Sequence, residues 1–310
     1  MSSPSRPTRR QFLAASAVSA AALAPVGAGR VHAADPPSRN GSSHMKLSLA
    51  GYSFNRLLPK RPTPAEAKAG KMTMDGFISF CAEQNIDGIE PTTYYFPREV
   101  TNDYLVHMKQ LSFRLGLDIS GTAIGNDFCV KKGPAWDKQL ADCREWIDHA
   151  AVLGAPVIRI FAGRVPKGDT EAAALERCVE GINRALDHAE ERGVFLALEN
   201  HGGITATPAQ MMRIIKNVRK SPFFGVNLDG GNFRTDDPYR DMAVIAPYAV
   251  NAQVKVSIFR EDKKEPADLE RVVGILRDAD YRGYVVLEYE EKDPLGEIPG
   301  ILKQLRQLIS

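Results

Sequence analysis

The sequence has few histidines and cysteines and no large excess of either charge. Its 310 residues include six histidines, four cysteines without C-x-x-C spacing, and 40 basic against 38 acidic side chains. Without C-x-x-C pairs, a zinc site built from cysteines is not expected. The balanced charge gives no reason to expect a nucleic-acid partner. An apolar content of 44% is typical of folded globular domains and not of disordered chains.

Two further absences narrow the class of protein. After residue 45 no apolar run approaches the ~20 residues that span a bilayer, so we expect no membrane partner for the mature chain. Neither a P-loop nor a G-x-G-x-x-G after the first predicted strand occurs. Redox chemistry with a bound dinucleotide is therefore not indicated.

The N-terminal segment has the order of features found in an export signal. A twin-arginine pattern, Thr8-Arg9-Arg10-Gln11-Phe12-Leu13, precedes a weakly apolar run from Ala14 to Val26, and small residues for cleavage follow at Val31-His32-Ala33. We predict a twin-arginine signal peptide over residues 1–33, a polar linker over 34–45, and export to the periplasm. A disordered tail with a chance Arg-Arg pair is the alternative.

The four cysteines, Cys81, Cys129, Cys143 and Cys178, are interpreted as structural thiols. An even number in an exported chain permits disulfides. Three of the four lie in helical patterns beside apolar residues, where free cysteine behaves as a small buried apolar residue. The pattern therefore favours four unpaired thiols.

From Lys46 onward, short β-rich runs alternate with longer amphipathic runs. The predicted strands are 46–53, 88–90, 118–122, 156–161, 194–199, 224–228, 249–256 and 284–288. The predicted helices are 73–84, 101–116, 136–153, 171–192, 208–219, 238–246, 267–279 and 297–308. Strict alternation requires parallel strands joined by right-handed crossovers, and eight such units favour a closed barrel over an open sheet. We predict a single-domain α/β fold, a (β/α)8 TIM barrel, over residues 46–310.

Three predicted strands end in a carboxylate: Glu199, Asp229 and Glu288. In such a barrel all three positions fall on the C-terminal face, where active sites are built. Converging carboxylates raise one another's pKa values unless a cation compensates them, and a divalent metal ion has the required chemistry. A single acid after a strand is more often a helix cap or a solvated loop residue. Three together favour a metal site.

From about Lys46 to its C-terminus the sequence resembles the xylose-isomerase-like barrels of the sugar phosphate isomerase/epimerase superfamily. The resemblance is carried by Ala197-Leu-Glu-Asn-His-Gly-Gly203, Gly225-Val-Asn-Leu-Asp-Gly-Gly-Asn232, Ala249-Val-Asn-Ala-Gln-Val-Lys255 and Val286-Leu-Glu-Tyr289. In that family Glu, Asp, His and Glu at the ends of strands five to eight bind the metal. The resemblance implies Glu199, Asp229, the position of Gln253, and Glu288 as ligands.

Gln253 departs from the family pattern, because histidine is usual at this position. An amide oxygen suits Mn²⁺ or Mg²⁺, leaves Co²⁺ open and makes Zn²⁺ less expected. Four further residues are candidates for substrate binding: Glu90, His201, Asn232 and Lys255. Lys255 lies two residues beyond Gln253 on the same side of its strand, from where it either steadies an oxyanion or pairs with Glu288. Other residues near strand ends are weaker candidates, namely Thr122, Asn126 and Arg159. The aromatic candidates for stacking on a sugar are Tyr94, Tyr95, Phe96 and Trp136.

The chemistry implied by the resemblance is proton transfer next to a sugar carbonyl, with Glu199 and Glu288 as the proton-transfer groups and a metal-bound enediolate between them. Since phosphorylated sugars are cytoplasmic, export favours a non-phosphorylated keto-sugar as the small-molecule partner. One alternative is a lyase that cleaves 3-keto-glycosides or keto-sugars by β-elimination. Another is a non-catalytic carbohydrate-binding barrel, which the Gln253 departure favours. Barrels of this family often pair, so a homo-oligomer stays open.

Overall fold

The computed structural model describes residues 35–310; the predicted signal peptide and the start of the linker lie outside this part of the chain. The strands are β1 (His44–Ala50), β2 (Gly88–Glu90), β3 (Asp118–Ile119), β4 (Thr122–Ala123), β5 (Val157–Ile160), β6 (Phe195–Glu199), β7 (Phe224–Asp229), β8 (Arg234–Thr235), β9 (Ala249–Val254), β10 (Ser257–Arg260), β11 (Lys263–Pro266) and β12 (Arg282–Leu287). The α-helices are α1 (Pro64–Ala69), α2 (Met74–Glu83), α3 (Asn102–Arg114), α4 (Pro134–Leu153), α5 (Glu171–Arg192), α6 (Pro208–Asn217), α7 (Pro238–Ile245), α8 (Leu269–Asp278) and α9 (Pro294–Ile309).

Nine strands of the described part form one parallel sheet in the order β3-β2-β1-β12-β9-β7-β6-β5-β4. Because β3 and β4 are two halves of one predicted strand, this order brings the sheet back almost onto itself. A parallel bridge between Thr92 and Ala123 adds a contact across the closing seam. The predicted (β/α)8 TIM barrel is confirmed.

The third predicted strand, 118–122, is interrupted between β3 and β4. Gly121 lies in the interruption, and a Cβ added there would lie 2.8 Å from Cγ1 of Val157 on the neighbouring strand. The close approach of β5 therefore needs a residue without a side chain. The residue pattern predicts a continuous strand here because it carries no information about a neighbouring strand that is distant in sequence.

Several boundaries differ from those predicted. The first strand ends at Ala50, not at residue 53, because Gly51–Phe54 forms a 3₁₀ turn. It begins at His44, and just before it Ser43 donates a 2.7 Å hydrogen bond to the carbonyl of Tyr281. The short helix α1 was not predicted; Thr63 begins it with a capping box and Pro64 follows in its first turn.

A second, three-stranded sheet was also not predicted. It joins β8, β10 and β11, which lie in the loops after β7 and β9. The predicted seventh strand, 249–256, corresponds to β9, which ends at Val254, and β10 begins beyond it at Ser257. The charged sequence of β11, Lys263–Pro266, does not show the apolar alternation by which strands are recognised.

Most helices begin with a side chain that accepts a hydrogen bond from a backbone N–H in the first turn, which satisfies one of the free donors there. The capping residues are Thr63, Thr73, Thr101, Thr170, Thr207, Asp237, Asp268 and Asp293. All four cysteines are buried and unpaired. Within residues 35–310 no helix is long and apolar enough to cross a membrane.

Candidate active site

The three strand-end carboxylates lie on one face of the barrel. Glu199 ends β6, Asp229 ends β7, and Glu288 follows β12. In the sheet β6 adjoins β7, and β9 separates β7 from β12. All three side chains are buried, so their charges require compensation within the protein.

Arg159 compensates Glu199. It projects from β5, and its Nε lies 2.7 Å from Oε2 of Glu199, with both side chains at most 5% exposed. Arg159 also donates a 2.6 Å hydrogen bond to the carbonyl of Ile124 and lies over the ring of Phe161 at 3.9 Å. The sequence carried a signal for this residue, since an arginine inside the apolar strand Val157–Ile160 is rare without a buried partner.

Asn232 contacts the other oxygen of the same carboxylate. Its Nδ2 donates a 2.8 Å hydrogen bond to Oε1 of Glu199. Thus Arg159 and Asn232 each contact a different oxygen of Glu199. The residue predicted to contact the substrate contacts a candidate catalytic group in this structure.

Lys255 lies among carboxylates from both sides of β9. Its Nζ is 3.0 Å from Oε1 of Glu288, 3.1 Å from Oε1 of Glu290 and 3.4 Å from Oδ2 of Asp229. The lysine is only 7% exposed. Glu290 was not predicted as a site residue; its signal is the acidic run that follows β12.

Gln253 belongs to a buried ring of hydrogen bonds with Asn227, Asn251 and Glu90. Its Oε1 accepts a 2.7 Å hydrogen bond from Asn227, and its Nε2 donates to Glu90. Asn251 closes the ring by donating to Glu90 at 2.8 Å and to Asn227 at 2.9 Å. Both polar atoms of Gln253 therefore have protein partners. Asn227 and Asn251 were missed, although each lies two residues before a predicted site residue and thus on the same side of its strand.

Burial shifts the proton affinities of the acids in this site. It raises the pKa of Glu90 to about 7 and that of Asp229 to about 7. Burial also raises the pKa of Glu199 well above its ordinary value, while Arg159 opposes the rise. A pKa of about 7 places Glu90 and Asp229 in the range in which a carboxylate exchanges protons at neutral pH.

The pKa values of the two basic groups Lys255 and His201 shift in opposite directions. Burial alone lowers the pKa of Lys255, but the surrounding carboxylates outweigh burial and raise it above its ordinary value. Burial together with the positive charges of Arg159 and Lys255 lowers the pKa of His201 to about 4. Lys255 is therefore an ammonium ion at neutral pH and His201 is an uncharged imidazole.

His201 and the tyrosines form the more open part of this face. The imidazole of His201 packs on the ring of Phe161, with centroids 4.1 Å apart, beside a cavity of about 210 Å³. Tyr52 and Tyr94 meet edge to face at 6.2 Å and are only partly buried. Trp136 is buried, and its Nε1 donates to the carbonyl of Phe128, so it packs in the core.

The predicted metal ligands differ in how well they suit a divalent ion. Asp229 Oδ2 and Glu199 Oε2 are buried without hydrogen-bond partners among the described residues, as metal-binding oxygens can be. However, nitrogens of Lys255 and Arg159 lie 3.4 and 2.7 Å from these two oxygens. The Gln253 oxygen faces Asn227. Across residues 35–310 no three Asp, Glu, His or Cys side chains are arranged as a metal site. In this arrangement the residues do not fit a divalent ion, and metal binding stays a prediction.

A parallel (β/α)8 barrel with buried carboxylates and basic groups at its C-terminal face defines the general class of the protein. The sequence profile of the family described as xylose isomerase-like TIM barrel matches residues 78–309. The chain belongs to that family.

Solved structures agree on the fold. D-psicose 3-epimerase from Clostridium cellulolyticum H10, in a structure with D-tagatose, superimposes with a TM-score of 0.68 at 15% identity over 86% of this chain and 100% of that one. The apo form of 3-keto-D-glucoside 4-epimerase from E. coli gives 0.63 at 15% identity over 85% and 99%. A xylose isomerase-like TIM barrel protein from Mycobacterium smegmatis, in complex with magnesium, gives 0.63 at 19% identity over 85% and 96%. At these identities the likeness establishes the fold alone. Comparison with curated proteins gave no match.

Proposed function

We propose that the protein is a sugar isomerase or epimerase that moves a proton next to the carbonyl of a non-phosphorylated keto-sugar. The observation that supports this most is the grouping of two buried glutamates, Glu199 and Glu288, with two buried cations, Arg159 and Lys255. Glu199 and Glu288 both raise the pKa of Arg159 and of Lys255, so the four groups share one electrostatic environment. A site for binding alone needs no such pair of acids.

Each group has a role in this reaction. One glutamate removes the proton from the carbon next to the carbonyl. The electron pair of the C–H bond forms a C=C bond, and the π pair of the carbonyl moves to its oxygen, which gives an enediolate. Lys255 and Arg159 donate hydrogen bonds that stabilise this oxyanion as it develops. Delivery of a proton to the opposite face of the same carbon by the other glutamate, in its protonated form, gives an epimer. Delivery of a proton to the former carbonyl carbon gives an isomer. Because the residues as arranged do not fit a divalent ion, no step is assigned to a metal.

The choice of substrate class rests on two supports. The epimerases of the same fold carry names of keto-sugars without phosphate, D-psicose and 3-keto-D-glucoside. The predicted export signal points the same way, since free sugars and glycosides are the sugars that an exported protein meets. Supply of phosphorylated ketoses as the only good substrates would contradict this part of the proposal.

Proton exchange in D₂O tests the reaction directly. The mature chain is incubated with D-psicose, D-fructose and 3-keto-glucosides, and ¹H NMR follows loss of signal at carbons beside the carbonyl. Exchange should occur with at least one substrate and should vanish in Glu199→Gln and Glu288→Gln. The matched control is Glu291→Gln, three residues beyond Glu288, since Glu291 contacts Ser257 and Lys264 and not the buried cations.

The products separate the alternatives. An epimer or isomer supports the proposal, whereas an unsaturated sugar and a released alcohol would identify a β-eliminating lyase. Sugar binding without exchange, unaltered in Glu199→Gln, would identify a carbohydrate-binding barrel.

We also propose export by the twin-arginine route to the periplasm. The motif containing Arg9 and Arg10 precedes the described residues, so the proposal rests on the sequence alone. Replacement of both arginines by lysine should retain the folded chain in the cytoplasm, as measured by cell fractionation. Equal periplasmic amounts of the two forms would contradict it.

A further inference from the structure

We propose that the ammonium group of Lys255 is the resident cation of this site and takes the place of a divalent metal ion. Its Nζ is surrounded by Asp229, Glu288 and Glu290 at 3.0–3.4 Å. Two of these acids, Asp229 and Glu288, are predicted metal ligands. Separations of 3.0 and 3.1 Å are hydrogen-bond lengths to an ammonium, whereas Mg²⁺ requires oxygens at about 2.1 Å.

The absence of a side chain at Gly231 leaves the space in which the side chain of Lys255 lies. A Cβ added to Gly231 would lie 2.9 Å from Cδ and 3.2 Å from Cβ of Lys255. The aliphatic part of the lysine therefore packs where any other residue at position 231 would place a side chain. The sequence Asp229-Gly230-Gly231 thus provides both a carboxylate for the ammonium and the space for the chain that carries it.

The remaining groups are also compensated without a metal. Glu199 is paired with Arg159 at 2.7 Å. The oxygen of Gln253, which would be the fourth ligand, accepts a hydrogen bond from Asn227. A divalent ion would have to displace Lys255 and also turn Gln253 out of its ring with Glu90. The histidine usual in the family is thus absent at position 253, and the ammonium group of Lys255 lies between two of the predicted ligands.

In catalysis, which rests on the proposed function, Lys255 would stabilise the oxyanion by hydrogen bonding instead of by metal coordination. Binding of Mn²⁺ tests the inference without any substrate. Wild-type chain and Lys255→Met are stripped with EDTA and titrated with Mn²⁺, with free Mn²⁺ measured by EPR. Methionine keeps the packing against Gly231 and removes the charge.

The wild-type chain should bind Mn²⁺ weakly. Lys255→Met should bind one ion per chain roughly 100-fold more tightly or better, the scale expected for removal of one unit charge at about 4 Å. Lys46→Met is the matched control, because Lys46 forms an exposed ion pair with Asp118 near the N-terminal ends of the strands; it should bind like the wild type. Tight binding of one Mn²⁺ by the wild-type chain, unchanged or weakened in Lys255→Met, would overturn the inference.

A second measurement uses the unaltered chain and does not depend on the variant folding. Chain purified without chelator should contain no stoichiometric divalent metal by mass spectrometry, and proton exchange should survive EDTA. Exchange that EDTA abolishes and Mn²⁺ restores would overturn the role of Lys255 while supporting the proposed function. Absence of exchange in every form would count against the proposed function and leave the Mn²⁺ titration as the test of this inference.

Discussion

Nε of Arg159 lies 2.7 Å from Oε2 of Glu199, and the two side chains are 5% and 3% exposed. A buried ion pair adds little net stability, because desolvation offsets its attraction, but removal of one partner leaves the other charge uncompensated. Loss of Arg159 would therefore destabilise the barrel, because the candidate catalytic group Glu199 would be left as an uncompensated buried charge.

Arg159→Met should lower the free energy of unfolding by roughly 3 kcal/mol, since Glu199 would remain buried without a counter-charge. Urea denaturation at neutral pH measures the change. Addition of Glu199→Gln should recover part of the loss, because the neutral amide needs no cation. Arg192→Met is the control; Arg192 pairs with Asp148 at 2.8 Å at the surface, so its loss should cost less than about 1 kcal/mol. Equal losses of unfolding free energy in Arg159→Met and Arg192→Met would contradict the prediction.

Glu90→Gln should reduce the pH dependence of stability. The pKa of Glu90 rises from 4.5 to about 7 on folding, so the folded chain keeps a proton that the unfolded chain has already released. The free energy of unfolding contributed by this group is complete below 4.5 and falls as the pH rises to about 7. The shift corresponds to roughly 3 kcal/mol.

Urea denaturation of the wild-type chain and of Glu90→Gln at about pH 4.5 and about pH 7.5 tests this prediction. Between these two pH values the free energy of unfolding should fall by roughly 3 kcal/mol less in Glu90→Gln than in the wild-type chain. Any constant cost from rearranging the hydrogen bonds of Gln253 and Asn251 cancels, because each protein is compared with itself. Identical pH profiles would show that Glu90 does not titrate in this range.

Asn232→Ala should move the acid limb of the kcat/KM profile to higher pH by about half a unit to one unit. Asn232 donates to Glu199 at 2.8 Å, and this hydrogen bond favours the ionised carboxylate. Its loss therefore raises the pH at which Glu199 becomes a base. The control is Asn217→Ala, since Asn217 only bonds the carbonyl of Arg213 at the end of α6. A fall in kcat/KM at all pH values, without a shift of the limb, would instead indicate substrate binding by Asn232.

Gly231→Ala should destabilise the protein by about 1–3 kcal/mol. The added Cβ would lie 2.8 Å from the carbonyl oxygen of Ser257 and 2.9 Å from Cδ of Lys255, so backbone or lysine must move. Gly274→Ala is the matched control: it lies inside α8 with no atom within 4 Å of the added Cβ. Alanine there should stabilise by up to about 1 kcal/mol. Thermal unfolding measures the stability of Gly231→Ala and Gly274→Ala. Unchanged stability in Gly231→Ala would show that the packing around Lys255 is loose.

The order of strands and helices could be read from the sequence because it depends on local patterns. The apolar run Phe224–Asp229 and the cap Thr207 are examples in which residue types within a short window decide the element. The short strands β8, β10 and β11 could not be recognised. Their pairing partners, not their own polar residues, make them strands.

The sequence by itself determined the barrel and the placement of Glu199, Asp229 and Glu288 on one face, because strand ends of a parallel barrel share a side. Only the tertiary structure decided which cation meets which carboxylate. Arg159 reaches Glu199 from the neighbouring strand β5, 40 positions earlier in the chain, and Lys255 meets acids from β7 and from the segment after β12. These contacts depend on strand register and side-chain direction, and neither is encoded in the spacing of residues along one segment.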